Sequence, residues 1–135
     1  MSVIWQKDPK SHAMFSSYKI VFSIVFHFLT ELSPYGRLMK ELSEAGDKLV
    51  LINFSKYGSK DCEIVAPKVK ELAQTKPNVV FLYVEAENDK EATENFKVSV
   101  FPTFVFVKKS VKIDAMIGTN IFELKLLIEK HILLD

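Results

Sequence analysis

Ser59 and Cys62, with only Lys60 and Asp61 between them, stand where an apolar run gives way to an amphipathic stretch. Two sulfur atoms at that spacing, at the start of a helix, could carry out thiol–disulfide exchange. The helix N-terminus favours a thiolate, the thiolate attacks a disulfide, and the second thiol resolves the mixed disulfide. Here the first position holds a hydroxyl, and Cys62 is the only cysteine among 135 residues. A serine hydroxyl keeps its proton and attacks sulfur poorly unless a general base activates it. The only basic residues close to it in sequence are Lys56 and Lys60. Capping is the simpler role: Ser59 accepts a hydrogen bond from a backbone amide of the following helix, and Asp61 lies in the first turn, where the helix dipole favours a carboxylate. Cys62 heads the apolar side of that helix. It reads either as a small buried hydrophobe or as a lone thiol that forms a mixed disulfide with a partner, glutathione or a second copy of the chain.

The rest of the composition narrows the chemistry further. Hydrophobic residues make up 48% and charged residues 26%, with 18 basic and 17 acidic side chains giving a formal net charge of +1. That balance suits one soluble domain burying about two-thirds of its unfolded surface. No basic stripe with interleaved aromatics is present, which argues against nucleic acid as a partner. One cysteine excludes an internal disulfide and an all-cysteine metal site. His12, His27 and His131 are too scattered for a zinc set, and no metal is expected.

The elements that must position the Ser59–Cys62 pair follow from periodicity. Ser33-Pro34 is an N-cap followed by proline at the first helical position. Leu38, Met39, Leu42 and Ala45 then recur at helical spacing until Gly46. Lys48 to Phe54 reads as a strand covered on both faces. Cys62, Val65, Ala66, Val69, Leu72 and Ala73 line one face of the next helix, which contains Pro67. Val79 to Val84 is a second buried strand, and Asn88 to Glu91 resembles a capping box for a short helix carrying Ala92 and Phe96. Pro102 to Val107 and Val111 to Ile117 form a hairpin about a tight Lys108-Lys109-Ser110 turn. Gly118 breaks the chain, and Asn120 to Glu123 caps a last helix whose inner face holds Leu124, Leu127, Ile128 and His131. Alternation of strands and helices followed by a hairpin requires an α/β fold, with a mixed central sheet and helices on both faces.

The N-terminal part is less regular. Residues 1–17 read as polar and irregular, and Ile20 to Leu29 is almost wholly apolar. About ten residues cannot span a bilayer as a helix. Alternation of Ile20, Phe22, Ile24, Phe26 and Phe28 fits a strand or packed extension, while the lysines before it fit a signal-like segment that lacks a small-residue cleavage pattern. The expected organisation is an extension over 1–28 and one domain over 29–135.

From Leu29 to Leu133 the chain resembles the thioredoxin family, in particular its small cytosolic animal members. The resemblance is carried by Ala45-Gly46-Asp47-Lys48-Leu49-Val50, by Phe54-Ser55 leading into the turn, and by Pro67 in the helix after it. Phe101-Pro102-Thr103-Phe104 and Gly118 complete it. It implies the thioredoxin fold, a cis proline at Pro102 facing the turn, and Gly118 in a substrate-contacting loop. In the family, backbone groups just before that proline pair with an extended substrate segment. The family's Trp-Cys-Gly-Pro-Cys turn aligns with Gly58-Ser59-Lys60-Asp61-Cys62, and its buried aspartate with Asn53, whose amide cannot exchange a proton. The resemblance therefore implies a thioredoxin-like protein that has lost dithiol–disulfide oxidoreductase activity and binds proteins through the former active-site face. The residues of that face are Tyr57, Gly58, Phe101, Pro102, Thr103 and Gly118, with Ser59 at the lost nucleophile position and Cys62 at the resolving one. The alternative is a monothiol redox protein acting through Cys62. No cofactor is implied. A cytoplasmic location is expected, or the secretory pathway if residues 20–29 act as a signal, and a disulfide-linked dimer through Cys62 is open.

Overall fold

The computed structural model describes residues 2–4 and 33–134; the apolar run of residues 20–29, His12 and His27 lie outside them. The described strands are β1 Ser2–Ile4, β2 Val50–Ser55, β3 Val80–Glu85, β4 Thr103–Lys108 and β5 Val111–Ile117. The helices are α1 Pro34–Ala45, α2 Lys60–Thr75, α3 Lys90–Asn95 and α4 Ile121–Leu133. The strands form one mixed sheet in the order β1-β3-β2-β4-β5. β2 and β3 pair in parallel, and the other neighbours are antiparallel.

β2 lies at the centre of this sheet, and all six of its residues are buried. A strand with helices over both faces needs an unbroken apolar sequence, and its alternating side chains feed two separate cores. Leu51, Phe81, Phe104 and Phe106 pack with Val65, Val69 and Leu72 of α2 and with Leu124 and Ile128 of α4. On the opposite face Val50, Ile52, Phe54, Leu82 and Val105 pack with Leu38 and Leu42 of α1 and with Ala92 of α3. Phe54 and Phe96 lie with ring centroids 5.7 Å apart, closing this second core at the end of β2. A fully buried phenylalanine contributes about 2–3 kcal/mol from apolar burial alone. Phe54, Phe81, Phe104 and Phe106 are thus the expected core residues.

Helix starts follow the capping chemistry of the sequence. The Ser33 hydroxyl accepts from Gly36 N–H at 3.3 Å, with Pro34 in the first turn, and Gly46 ends α1 at φ 59°. Asn120 Oδ1 accepts from Glu123 N–H at 3.1 Å at the start of α4. One cap is shifted from expectation. Asp89, not Asn88, caps α3, accepting from Ala92 N–H at 3.0 Å. The Asn-x-x-Glu pattern was the wrong register, because the neighbouring carboxylate satisfies the helix amide directly. β1 is a second correction. The first residues read as irregular polar chain, but Ser2–Ile4 pairs antiparallel with Val84, Tyr83 and Leu82 of β3. Three residues are too few to show alternation, so a strand this short leaves no periodic signal.

The β4–β5 hairpin turns through Lys109 and Ser110 at φ 53° and 63°. Two successive positive φ values match the twist of the flanking strands, although neither residue is the glycine or asparagine usual there. A register shift between Phe106 and Val107 interrupts the ladder. Next to it, His131 Nε2–H of α4 donates to Asp114 Oδ2 of β5 at 2.8 Å, and the imidazole stacks obliquely on Phe106 at 5.2 Å. No described helix is long and apolar enough to cross a membrane.

The His131 hydrogen bond holds the Asp114 carboxyl below its ordinary value, against the opposing effect of burial. A carboxyl depressed in the folded state stabilises it above the unfolded value near 4, and that contribution is lost as pH falls through the lower folded value. Asp114→Ala is expected to cost about 1 kcal/mol at neutral pH, allowing for partial exposure of the carboxylate. The loss relative to wild type should shrink below about pH 4. Urea unfolding across pH checks both; a pH-independent difference would assign the loss to packing.

Candidate functional site

The site is built where β2 leaves the sheet. After Ser55 the chain runs through Lys56-Tyr57-Gly58, and Ser59 N–H closes the turn on the Lys56 carbonyl at 3.1 Å. Gly58 adopts φ 85°, a conformation that side-chain-bearing residues rarely take. Ser59 is extended and caps α2. Its hydroxyl oxygen accepts from Cys62 N–H at 3.3 Å, and its carbonyl accepts from Glu63 N–H at 3.0 Å. Asp61 and Glu63 place carboxylates in the first turn, where the helix dipole stabilises them. The serine oxygen therefore serves as an acceptor in the cap. The remaining described histidine, His131, is engaged with Asp114.

Cys62 is free and only 5% exposed, on the side of α2 that faces the sheet. Register places Asn53 and Ser55 of β2 on this same face, with Tyr83 of β3 directly beside Asn53. Asn53 is 2% exposed, and its Oδ1 has no hydrogen-bond partner among the described residues. An unsatisfied buried amide oxygen costs roughly 1–3 kcal/mol. Tyr83 lies within electrostatic reach of Cys62. Burial pushes its phenol above the ordinary value, a Ser55 hydrogen bond opposes the shift, and the Glu85 charge adds to it. The phenol thus keeps its proton and donates to Glu85 Oε2 at 3.2 Å.

Glu85 links this cluster to the turn. Its Oε1 accepts from Tyr57 N–H at 3.0 Å, across the parallel pairing that sets Ser55 opposite Glu85. Sequence reading passed over Glu85. The available signal was a carboxylate ending an otherwise apolar strand, beside the strand that delivers the turn.

The second half of the site comes from β4. Phe54 pairs with Thr103, and Thr103 in turn pairs with Ile117. This register brings Phe101-Pro102-Thr103 and Gly118 to the end of the sheet occupied by the Ser59 turn. The Phe101–Pro102 peptide is cis, as expected. Thr103 Oγ1 donates to the Val100 carbonyl at 2.6 Å, and Gly118 N–H donates to the Pro102 carbonyl at 3.1 Å. Pro102 and Thr103 are buried, and Phe101 is partly buried, packed against the core on the α1 and α3 side of the sheet. Tyr57, at 85% exposure, is the corresponding aromatic on the turn. Val100 and Ile117 are also exposed at this end.

All the candidate residues thus converge: Tyr57, Gly58, Ser59 and Cys62 from the β2–α2 turn, and Phe101, Pro102, Thr103 and Gly118 from the opposing loops. Among the described residues no cluster of histidine, cysteine, aspartate and glutamate could hold a metal ion. The arrangement supplies one shielded thiol, a rigid capped turn and a partly apolar surface. It does not supply a pair of sulfurs.

Comparison with known proteins agrees with this architecture. The thioredoxin family profile matches residues 36–130. A thioredoxin of Geodia cydonium is 36% identical over 106 residues, covering 78% of this chain and 97% of that one. Thioredoxin-T of Drosophila melanogaster is 38% identical over 95 residues, covering 70% and 60% respectively. The X-ray structure of Fasciola hepatica thioredoxin superposes with a TM-score of 0.68 at 33% identity, covering 70% of this chain and 90% of that one. With the family profile matched over most of the chain and relatives above 30% identity covered over most of both lengths, the chain belongs to the thioredoxin family.

Proposed function

We propose that this thioredoxin-family chain lacks dithiol–disulfide oxidoreductase activity and acts by binding other proteins through the face made by the Ser59 turn and the Phe101–Pro102 loop. One observation carries the reading: the sulfur pair is reduced to Cys62, and the vacated position is filled by a serine whose oxygen is used as a helix cap. Reduction of a substrate disulfide requires two thiols to become one disulfide, so a chain with one thiol, without an external thiol to resolve it, stops at the mixed disulfide. Asn53 at the position of the family's buried aspartate removes a proton acceptor from beneath the site. The exposed Tyr57 supplies instead aromatic contact area common at protein interfaces, beside the partly buried Phe101.

The monothiol alternative is the weaker one because Cys62 is 5% exposed. A mixed disulfide, or a disulfide-linked dimer, would require the first turn of α2 to open. Native protein is expected to react with a small maleimide about a hundredfold or more slowly than unfolded protein. Equal rates would return Cys62 to the list of reactive sites.

With NADPH, thioredoxin reductase and insulin, wild-type chain is expected to give no turnover above the buffer baseline. Turnover comparable with that of a dithiol thioredoxin would refute the reading. Ser59→Ala should leave this baseline unchanged while lowering unfolding free energy by about 1 kcal/mol through loss of the cap. Thermal or urea unfolding measures the second effect; a stability-neutral Ser59→Ala would mean that the serine is retained for something other than capping.

A further inference from the structure

Among the described helices α4 alone has an apolar outward side. Of the large hydrophobic side chains left exposed, Phe122, Leu126, Ile132 and Leu133 lie on α4 and Ile64 on α2, while α1 and α3 carry none. Leu124, Ile128 and His131 form the buried face of α4. At 3.6 residues per turn, positions 122, 126, 129 and 133 fall within about 60° of one another on the opposite side. Phe122 is 68%, Leu126 56% and Leu133 79% exposed, and Glu129 is the one polar member of the stripe. A helix that only covers a sheet carries polar residues there.

The charges beside the stripe select what covers it. Lys125 and Glu129 edge one flank, Glu123 and Lys130 the other. Glu129 is also held by Lys76 at the end of α2, and Lys130 lies within electrostatic reach of Asp114 on β5. Two copies of α4 that run antiparallel about a two-fold axis bring like flank to like flank. With the axis beside Leu126 and Leu127, Lys125 comes level with Glu129 of the second copy, and Glu123 with Lys130. Every charge on the two flanks then faces its opposite. Phe122 comes level with Ile132 of the second copy, and the two Leu126 side chains meet near the axis. A parallel pair would instead set Glu129 against its own copy on the stripe. Two lysines against two glutamates give no net charge to attract an anionic lipid surface or a strongly acidic or basic partner.

We propose that α4 is the interface of a noncovalent homodimer, formed by antiparallel pairing of the Phe122–Leu126–Leu133 stripe with the same stripe of a second copy. Cys62 takes no part, and the Ser59 face stays free in both copies. The 13 residues of α4 make a helix about 20 Å long, too short for a standard interface of about 1,600 Å2. The dimer is therefore weak, with a dissociation constant of about 10–100 µM.

The test is sedimentation of the full chain, with reductant present, from about 5 µM to about 500 µM, which spans that constant. Monomer at the low end and dimer at the high end are expected. Leu126→Lys, which places two ammonium groups at the axis, should weaken the dimer at least about tenfold. Lys125→Glu combined with Lys130→Glu should do the same, as should Glu123→Lys combined with Glu129→Lys. Mixing these two double variants should restore dimer as a heterodimer, a result that a folding defect cannot give. Far-UV circular dichroism checks that each variant stays folded. Tyr57→Lys, on the Ser59 face, should leave the dimer unchanged. Monomer throughout, assemblies larger than a dimer, equal loss in Tyr57→Lys, or no heterodimer on mixing would overturn the assignment. None of these results bears on turnover of insulin disulfides.

Discussion

Everything in this domain depends on β2 being buried on both faces. A strand in the middle of the sheet, with α1 and α3 over one side and α2 and α4 over the other, can leave the core only at its end. The parallel neighbour β3 and the antiparallel neighbour β4 fix where that end lies, because each pairs with β2 residue for residue. The Ser59 turn, the Glu85 carboxylate and the cis-proline loop are therefore brought together by register. Their proximity costs no additional device; it is a by-product of the apolar sequence from Leu49 to Phe54.

This separation of scaffold from chemistry means that the architecture makes few demands on the residues of the turn. The two cores are made mainly by Leu, Val, Ile and Phe side chains, and none of the turn residues 56–60 belongs to either. The turn itself asks for a helix cap, a residue free to take positive φ, and a side chain at the third helical position that tolerates burial. Ser59, Gly58 and Cys62 meet those demands as well as a pair of sulfurs would. Asn53 is the exception. A buried amide oxygen left without a partner is a local cost that the fold does not require, since valine or leucine at that point of β2 would pack without it.

The sequence made the scaffold easy to read for a physical reason. Long apolar runs, proline after serine, and glycine at helix ends are local signals, and β2, α1, α2 and the β4–β5 hairpin carry them in full. Ser59 as a cap was legible in the same way. The misses share a different character. The strand at Ser2–Ile4 is too short to show alternation, and the choice between Asn88 and Asp89 as cap is a matter of one residue. The part played by Glu85 arises from a pairing between distant segments. Nothing in the neighbourhood of Glu85 says that Tyr57 will present its amide there, 28 positions away in the chain.

That hydrogen bond has a consequence for how the surface meets other molecules. Among the described residues the β2–α2 turn is fastened at one side by the Ser59 cap and at the other by Glu85, which grips the Tyr57 amide and is itself gripped by the Tyr83 hydroxyl. A loop held at both sides has surrendered its conformational entropy during folding and has little left to surrender at encounter. The aromatic ring of Tyr57 is thus displayed from a rigid backbone, so whatever it touches is met by a fixed mould rather than by a searching arm.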